Sequence, residues 1–176
     1  MLSSNPICSG RFSPFFYARC KMENLIARSK EEKYLYKKFL ILIEKDGIEL
    51  VRIKIFDDSG LTLQIMLDHK DREITIDDCA KISKSLSKML ENDTIFNKEY
   101  RLEVSSPGLN RPLTRRKDFE KWKGYQAEIS QNLSDSKLYK IEGTIVGILG
   151  SQLHLHKDDQ IIHVDLYDIQ EAKLVA

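Results

Sequence analysis

Arg111, Arg115, Arg116, Lys117, Lys121 and Lys123 crowd into residues 105–123, opposed there only by Asp118 and Glu120. That stretch has a surplus of four positive charges. Arginine and lysine at this density suit one kind of chemistry, the neutralisation of phosphates. The flanking chain runs the other way. Residues 29–104 carry 14 basic and 16 acidic side chains, and residues 124–176 carry four and eight. The chain's net charge of +1 hides this segregation. Two readings fit the cationic stretch: a solvated hinge, or the place where an anionic partner is held between two domains.

Other candidate chemistry is thin. Ser105 and Ser106 stand beside Pro107-Gly108, but no His with a nearby carboxylate is recognisable as their base. Hydroxyls next to a Pro-Gly turn bond the local backbone more often than a substrate. Pairing about Lys157–Gln160 sets His154 opposite His163, with His156 diagonal to them. Three imidazoles so placed are either solvated or shared with a metal, and no Cys or dependable carboxylate completes a ligand set. Cys8, Cys20 and Cys79 form no CxxC pair, which fits a reducing compartment. Cys79 falls on the apolar face of a helix, where packing is its simplest role. There is no phosphate-cradling G-x-x-x-x-G-K-[ST] loop, no G-x-G-x-x-G and no G-x-S-x-G. The expectation is a binding protein rather than an enzyme. It has no cofactor, no metal, no small-molecule substrate and no membrane partner, and it works as a monomer.

The elements around the cationic stretch follow from periodicity. Lys30–Lys45 reads as a helix with Leu35, Phe39, Leu42 and Ile43 on one face, Glu31 and Glu32 in its first turn, and Asp46-Gly47 at its end. Val51–Asp68 reads as a hairpin about Asp58-Ser59-Gly60, pairing Ile55 with Leu63, Ile53 with Ile65 and Val51 with Leu67. Its other face would carry Arg52, Lys54, Phe56, Thr62, Gln64 and Met66. Thr75–Leu90 reads as a helix opened by a capping box, Thr75-Ile76-Asp77-Asp78. Cys79, Ile82, Leu86, Met89 and Leu90 form its stripe, and Lys81, Lys84 and Lys88 a second, wet line. Tyr100, Leu102 and Val104 alternate with Arg101 and Glu103 in a short strand, expected to pair beside the first. These elements make an α-β-β-α-β two-layer domain over residues 29–104.

Pro107-Gly108 then suits a type II turn, and Pro112 lacks the N–H a central strand needs. Residues 105–123 therefore read as a stiff connector whose turn is Ser105, Ser106, Pro107 and Gly108. Thr114 is placed to cap a short helix through Trp122, and Phe119 and Trp122 lie three apart to anchor the second domain. Residues 124–176 read as five short strands: Tyr125–Ser130, Lys140–Leu149, Gln152–His156, Ile161–Val164 and Ala172–Val175. Gly143, Gly147 and Gly150 would let the longest bend sharply, as in a small barrel of the SH3 or Sm type. The fold class expected is α+β. Residues 1–28 are expected to lie outside both domains; residues 1–21 lack acids and any clear period, which fits a disordered tail, a transit peptide or a start at Met22.

LEVSSPGLNRPL followed by DFEKWKG resembles the hallmark of the ribosome maturation factor RimP family. TIDDCAKISKSLSKML and DIQEAKLV resemble that family's other blocks, in the same order, so the resemblance runs from Ser29 to Ala176. It implies a Sm-like second domain. It also implies a cytoplasmic, non-enzymatic factor that binds the immature 30S small ribosomal subunit, helps it mature and leaves before translation. The partners implied are 16S rRNA and small-subunit ribosomal protein twelve. A general RNA-binding or translation-regulatory module is the alternative. The contact candidates, Arg111, Arg115, Arg116, Lys117, Lys121 and Lys123, come from charge and not from the resemblance.

Overall fold

The computed structural model describes residues 25–43, 47–91, 93–132 and 137–175. The chain is a mixed α+β protein with two separate sheets. It divides into two compact units: one is Ile26–Gly108, and the other covers Leu109–Ala176 and includes Leu25. The readings made for residues 1–21 lie outside the described residues. Leu25, Ile26 and Ala27, placed by their sequence in an external extension, are buried.

The first unit runs α1 (Lys30–Ile43), β1 (Ile48–Asp57), β2 (Leu61–His69), α2 (Ile76–Leu90) and β3 (Arg101–Ser105). Leu35, Phe39 and Ile43 of α1 meet Ile53, Ile65 and Leu86 in one core. Each such side chain taken from water contributes about 1.5–3 kcal/mol. The start of α1 is more than an acid near a helix dipole. Ser29 Oγ accepts the Glu32 N–H at 3.0 Å, and Glu32 Oε2 accepts the Ser29 N–H at 3.0 Å, a reciprocal cap. Glu32 Oε2 also accepts the Arg28 N–H at 2.6 Å, and Oε1 accepts the Ile55 N–H of β1 at 2.9 Å. Glu32 is buried, and its carboxylate fastens the helix to the edge of the sheet.

The hairpin pairs Ile55 with Leu63 and Ile53 with Ile65, with Gly60 at a φ of 115° in the loop. The third expected pair is wrong. A bulge between Leu50 and Arg52 sets Leu50 opposite Leu67 and leaves Val51 as the extra residue. The strand order also differs from expectation. β3 runs parallel to β2, giving the order β1-β2-β3. A strand–helix–strand crossover from β2 through α2 returns a parallel strand beside its origin. The most buried strand, with Leu63, Ile65 and Leu67 at zero exposure, is accordingly the central one. Residues facing away from the core still fall in rows: Arg52, Met66 and Ser105; Lys54, Gln64 and Glu103; Phe56, Thr62 and Arg101.

α2 has its capping box as expected. Thr75 Oγ1 accepts the Asp78 N–H at 3.2 Å, and Asp78 Oδ2 accepts the Thr75 N–H at 2.9 Å. Arg72 adds two bonds to the same carboxylate, at 2.6 and 3.0 Å. Leu86 and Leu90 are buried, Cys79 is half-buried and free, and Lys81, Lys84 and Lys88 are exposed. Burial pushes the Cys79 thiol up.

The second unit contains α3 (Arg116–Lys121), β4 (Gln126–Asn132), β5 (Leu138–Leu149), β6 (Gln152–Lys157), β7 (Gln160–Asp165) and β8 (Ile169–Leu174). All five strands pair antiparallel in the order β7-β6-β5-β4-β8. No ladder joins β7 to β8 among the described residues, so a closed barrel is not found. Leu25, Leu113, Phe119, Ile129, Ile145 and Leu155 share the core. β5 bends through a bulge between Ile145 and Gly147, whose φ of 144° favours glycine. Among the described residues no helix is long and apolar enough to cross a membrane.

Candidate nucleic-acid interface

The cationic stretch begins as an extra strand segment. Leu113 N–H donates to the Ala172 carbonyl at 2.8 Å, and Leu174 N–H donates to the Arg111 carbonyl at 2.9 Å. Pro112 stands opposite Lys173 between these bonds, where its missing N–H costs nothing. Arg111, Pro112, Leu113 and Thr114 are all buried. This part of the stretch is not a solvated hinge; it covers the outer edge of β8.

Asp118 then takes up two of the six cations. Its carboxylate, only 2 % exposed, accepts the Thr114 N–H at 3.0 Å and the Arg115 N–H at 2.9 Å. Arg115 Nη2 reaches Oδ1 at 2.8 Å, and Arg111 Nη2 approaches it to 3.9 Å. The sequence suggests Thr114 as the cap and a helix extending through Trp122. Instead Arg115 stands at the N-cap position, and a guanidinium can only donate. The carboxylate at the third helical position caps the turn from within.

The remaining four cations lie along α3 and the turn after it. Arg116 is half-buried and donates from Nη1 to the Gly150 carbonyl at 2.8 Å. Lys117, Lys121 and Lys123 are exposed. Lys121 Nζ sits 5.6 Å from the centre of the Trp122 ring, a cation–π contact. Lys123 pairs with Glu120 at 2.6 Å, which pulls the Glu120 carboxyl below its ordinary range. A Cβ on Gly147 would lie 2.7 Å from Lys123 Cε, so this lysine is laid flat across the bulge of β5.

The structure therefore divides the six residues that charge singles out. Arg111 and Arg115 face a buried carboxylate, while Arg116, Lys117, Lys121 and Lys123 leave cationic surface on one short helix and its exit. Charge alone misses two residues that shape this surface, Asp118 and Tyr125. The spacing from Arg115 to Asp118 is a usable signal for the first, since an acid at the third helical position is a capping pattern. Tyr125 gives no such signal.

Ser105 belongs to β3, and Gly108 has a φ of 66°, as a turn after Pro107 requires. The histidine hairpin has the register expected from the sequence, with His154 opposite His163 and Leu155 opposite Ile162. Asp158 and Asp159 make its two-residue turn at positive φ. The His154 and His163 rings pack edge to face with centres 4.5 Å apart. Among the described residues no group of three metal-ligating side chains is assembled.

Residues 41–110 match the family model described as the RimP N-terminal domain. The match runs from the last turn of α1 through β3 to the turn at Gly108, covering most of the first unit. The match supports membership of the ribosome maturation factor RimP family.

Proposed function

We propose that the protein is a non-enzymatic assembly factor that binds the immature 30S small ribosomal subunit in the cytoplasm and promotes its maturation. The observation that carries this reading is the match of residues 41–110 to the RimP N-terminal domain. The family's association with ribosome maturation supplies the biological context. The cationic surface on α3 supports 16S rRNA as one partner, because phosphate neutralisation releases condensed counterions and drives association. Small-subunit ribosomal protein twelve is the other partner proposed, and the working state is a monomer. Five antiparallel strands with a strongly bent long one support a Sm-like reading of the second unit. Arg116, Lys117, Lys121 and Lys123 are the foremost RNA contacts. Arg111 and Arg115 contribute positive potential from behind their carboxylate.

Sedimentation of the tagged protein through a gradient tests the reading. An assembly factor migrates with free small subunits and is absent from 70S particles. Association with RNA lacking ribosomal precursors, and none with subunits, would leave a general RNA-binding module instead.

A further inference from the structure

Beside the cations on α3 stands an aromatic corner. Trp122 packs half-buried against the core with its Nε1 inward. Tyr125 meets it edge to face, ring centres 5.0 Å apart, and is 56 % exposed. Backbone bonds hold the corner rigidly. Gly124 N–H donates to the Ile145 carbonyl at 2.8 Å, Ile145 N–H donates to the Tyr125 carbonyl at 2.9 Å, and Tyr125 N–H donates to the Trp122 carbonyl at 3.2 Å. Gly124, at a φ of 83°, makes the turn that joins these bonds. Lys121 and Lys123 flank Trp122 in sequence, one over the indole and the other across Gly147.

A tyrosine so exposed and yet so firmly fixed does little for the core. An exposed aromatic ring packed on a tryptophan that lysines flank matches the two parts of a nucleotide, a flat base and a phosphate. We propose that the Trp122–Tyr125 corner is a stacking platform for an unpaired RNA base, with Lys121 and Lys123 on the adjoining phosphates. This deepens the proposed function, on which its ribosomal partner rests. The Lys123–Glu120 pair is exposed on both sides and so exchanges readily for a phosphate. An RNA partner is favoured over a protein one because Arg116, Lys117, Lys121 and Lys123 outnumber the one acid among them at the surface, Glu120.

Trp122 is the only tryptophan in the chain, so its fluorescence reports on the corner directly. The full chain would be titrated with a short oligoadenylate at several salt concentrations. Quenching is expected, unchanged in Tyr125→Phe and roughly tenfold weaker in affinity in Tyr125→Ala. Lys121→Ala should flatten the salt dependence while leaving the quenching amplitude. Circular dichroism of Tyr125→Ala guards against misfolding, and Lys121→Ala provides a second reading if that variant fails. Absence of quenching, or equal affinity in the alanine and phenylalanine variants, overturns the platform. Co-sedimentation with small subunits separates the two claims. Sedimentation without quenching removes only the platform, and quenching without sedimentation keeps the platform and removes the ribosomal partner.

Discussion

Arg115 Nη2 lies 2.8 Å from Asp118 Oδ1, and the carboxylate that holds it is almost wholly buried. One acid thus fixes the start of α3, accepts two backbone N–H groups and faces two arginines. The cations of this stretch are consequently unequal. Arg111 and Arg115 build the fold, and Lys117, Lys121 and Lys123 are presented outward.

Asp118→Ala should therefore destabilise the second unit severely. Breaking a buried pair by removing one partner costs about 3–5 kcal/mol, since the other charge is left uncompensated. Urea unfolding followed by Trp122 fluorescence measures it. A loss under about 1 kcal/mol would mean that Arg111 and Arg115 escape to water without the carboxylate. Arg116→Ala, by contrast, should cost only about 0.5–1.5 kcal/mol, the usual net loss for one hydrogen bond, here that to the Gly150 carbonyl.

How much of the fold is legible in the sequence depends on which forces are local. The Ile55–Leu63 register follows from loop length and a glycine in a loop needing positive φ, both visible in five residues. The bulge at Val51 does not, because Glu49-Leu50-Val51-Arg52 reads as an unbroken strand and only pairing reveals the slip. Alternation in β3 shows a strand but not its neighbour, and the β2–α2–β3 crossover sets it beside β2 rather than β1. Counting charge finds the cationic stretch, yet cannot tell an arginine facing water from one facing Asp118. Pro112 argues against a strand, although its neighbours Arg111 and Leu113 make the bonds that β8 needs.

Glu32 offers a second test of a buried carboxylate. It accepts N–H groups from Arg28, Ser29 and Ile55, joining α1 to the edge strand β1. Glu32→Ala should cost roughly 2 kcal/mol through the donors left unsatisfied, and Glu32→Gln should cost less because an acceptor remains. Hydrogen exchange at the Ile55 amide should accelerate in the alanine variant. Unchanged exchange there would show that the bracket does not protect the strand.

Asp78 predicts a pH signature. Arg72 is the first cause of its lowered pKa, followed by the N–H and hydroxyl of Thr75. A carboxyl depressed in the folded state stabilises fully above its unfolded value, near 4, and loses that contribution as pH falls through the folded value. Wild type should thus exceed Asp78→Asn in stability at neutral pH, with the gap closing below about pH 4. Thermal unfolding of both proteins across that range measures it. A gap that stays constant into strong acid would assign the effect to shape rather than charge.

The outward cations give the sharpest test of how a partner is held. Arg116, Lys117 and Lys121 follow one another along a single short helix, while Arg115 is engaged with Asp118. Removing Lys117 and Lys121 together should leave the fold within about 0.5 kcal/mol of wild type. Small-subunit binding should nevertheless weaken, and its dependence on salt should flatten by about 0.7–0.9 for each phosphate no longer neutralised. Lys54→Ala with Arg101→Ala, on the outward face of the first sheet, is the matched control of equal charge. If the control flattens the slope and the α3 pair does not, the phosphates meet Arg52, Lys54 and Arg101. If both pairs flatten it, the RNA footprint extends over both surfaces. Parallel slopes for all three proteins would remove phosphate neutralisation from either surface as the source of affinity.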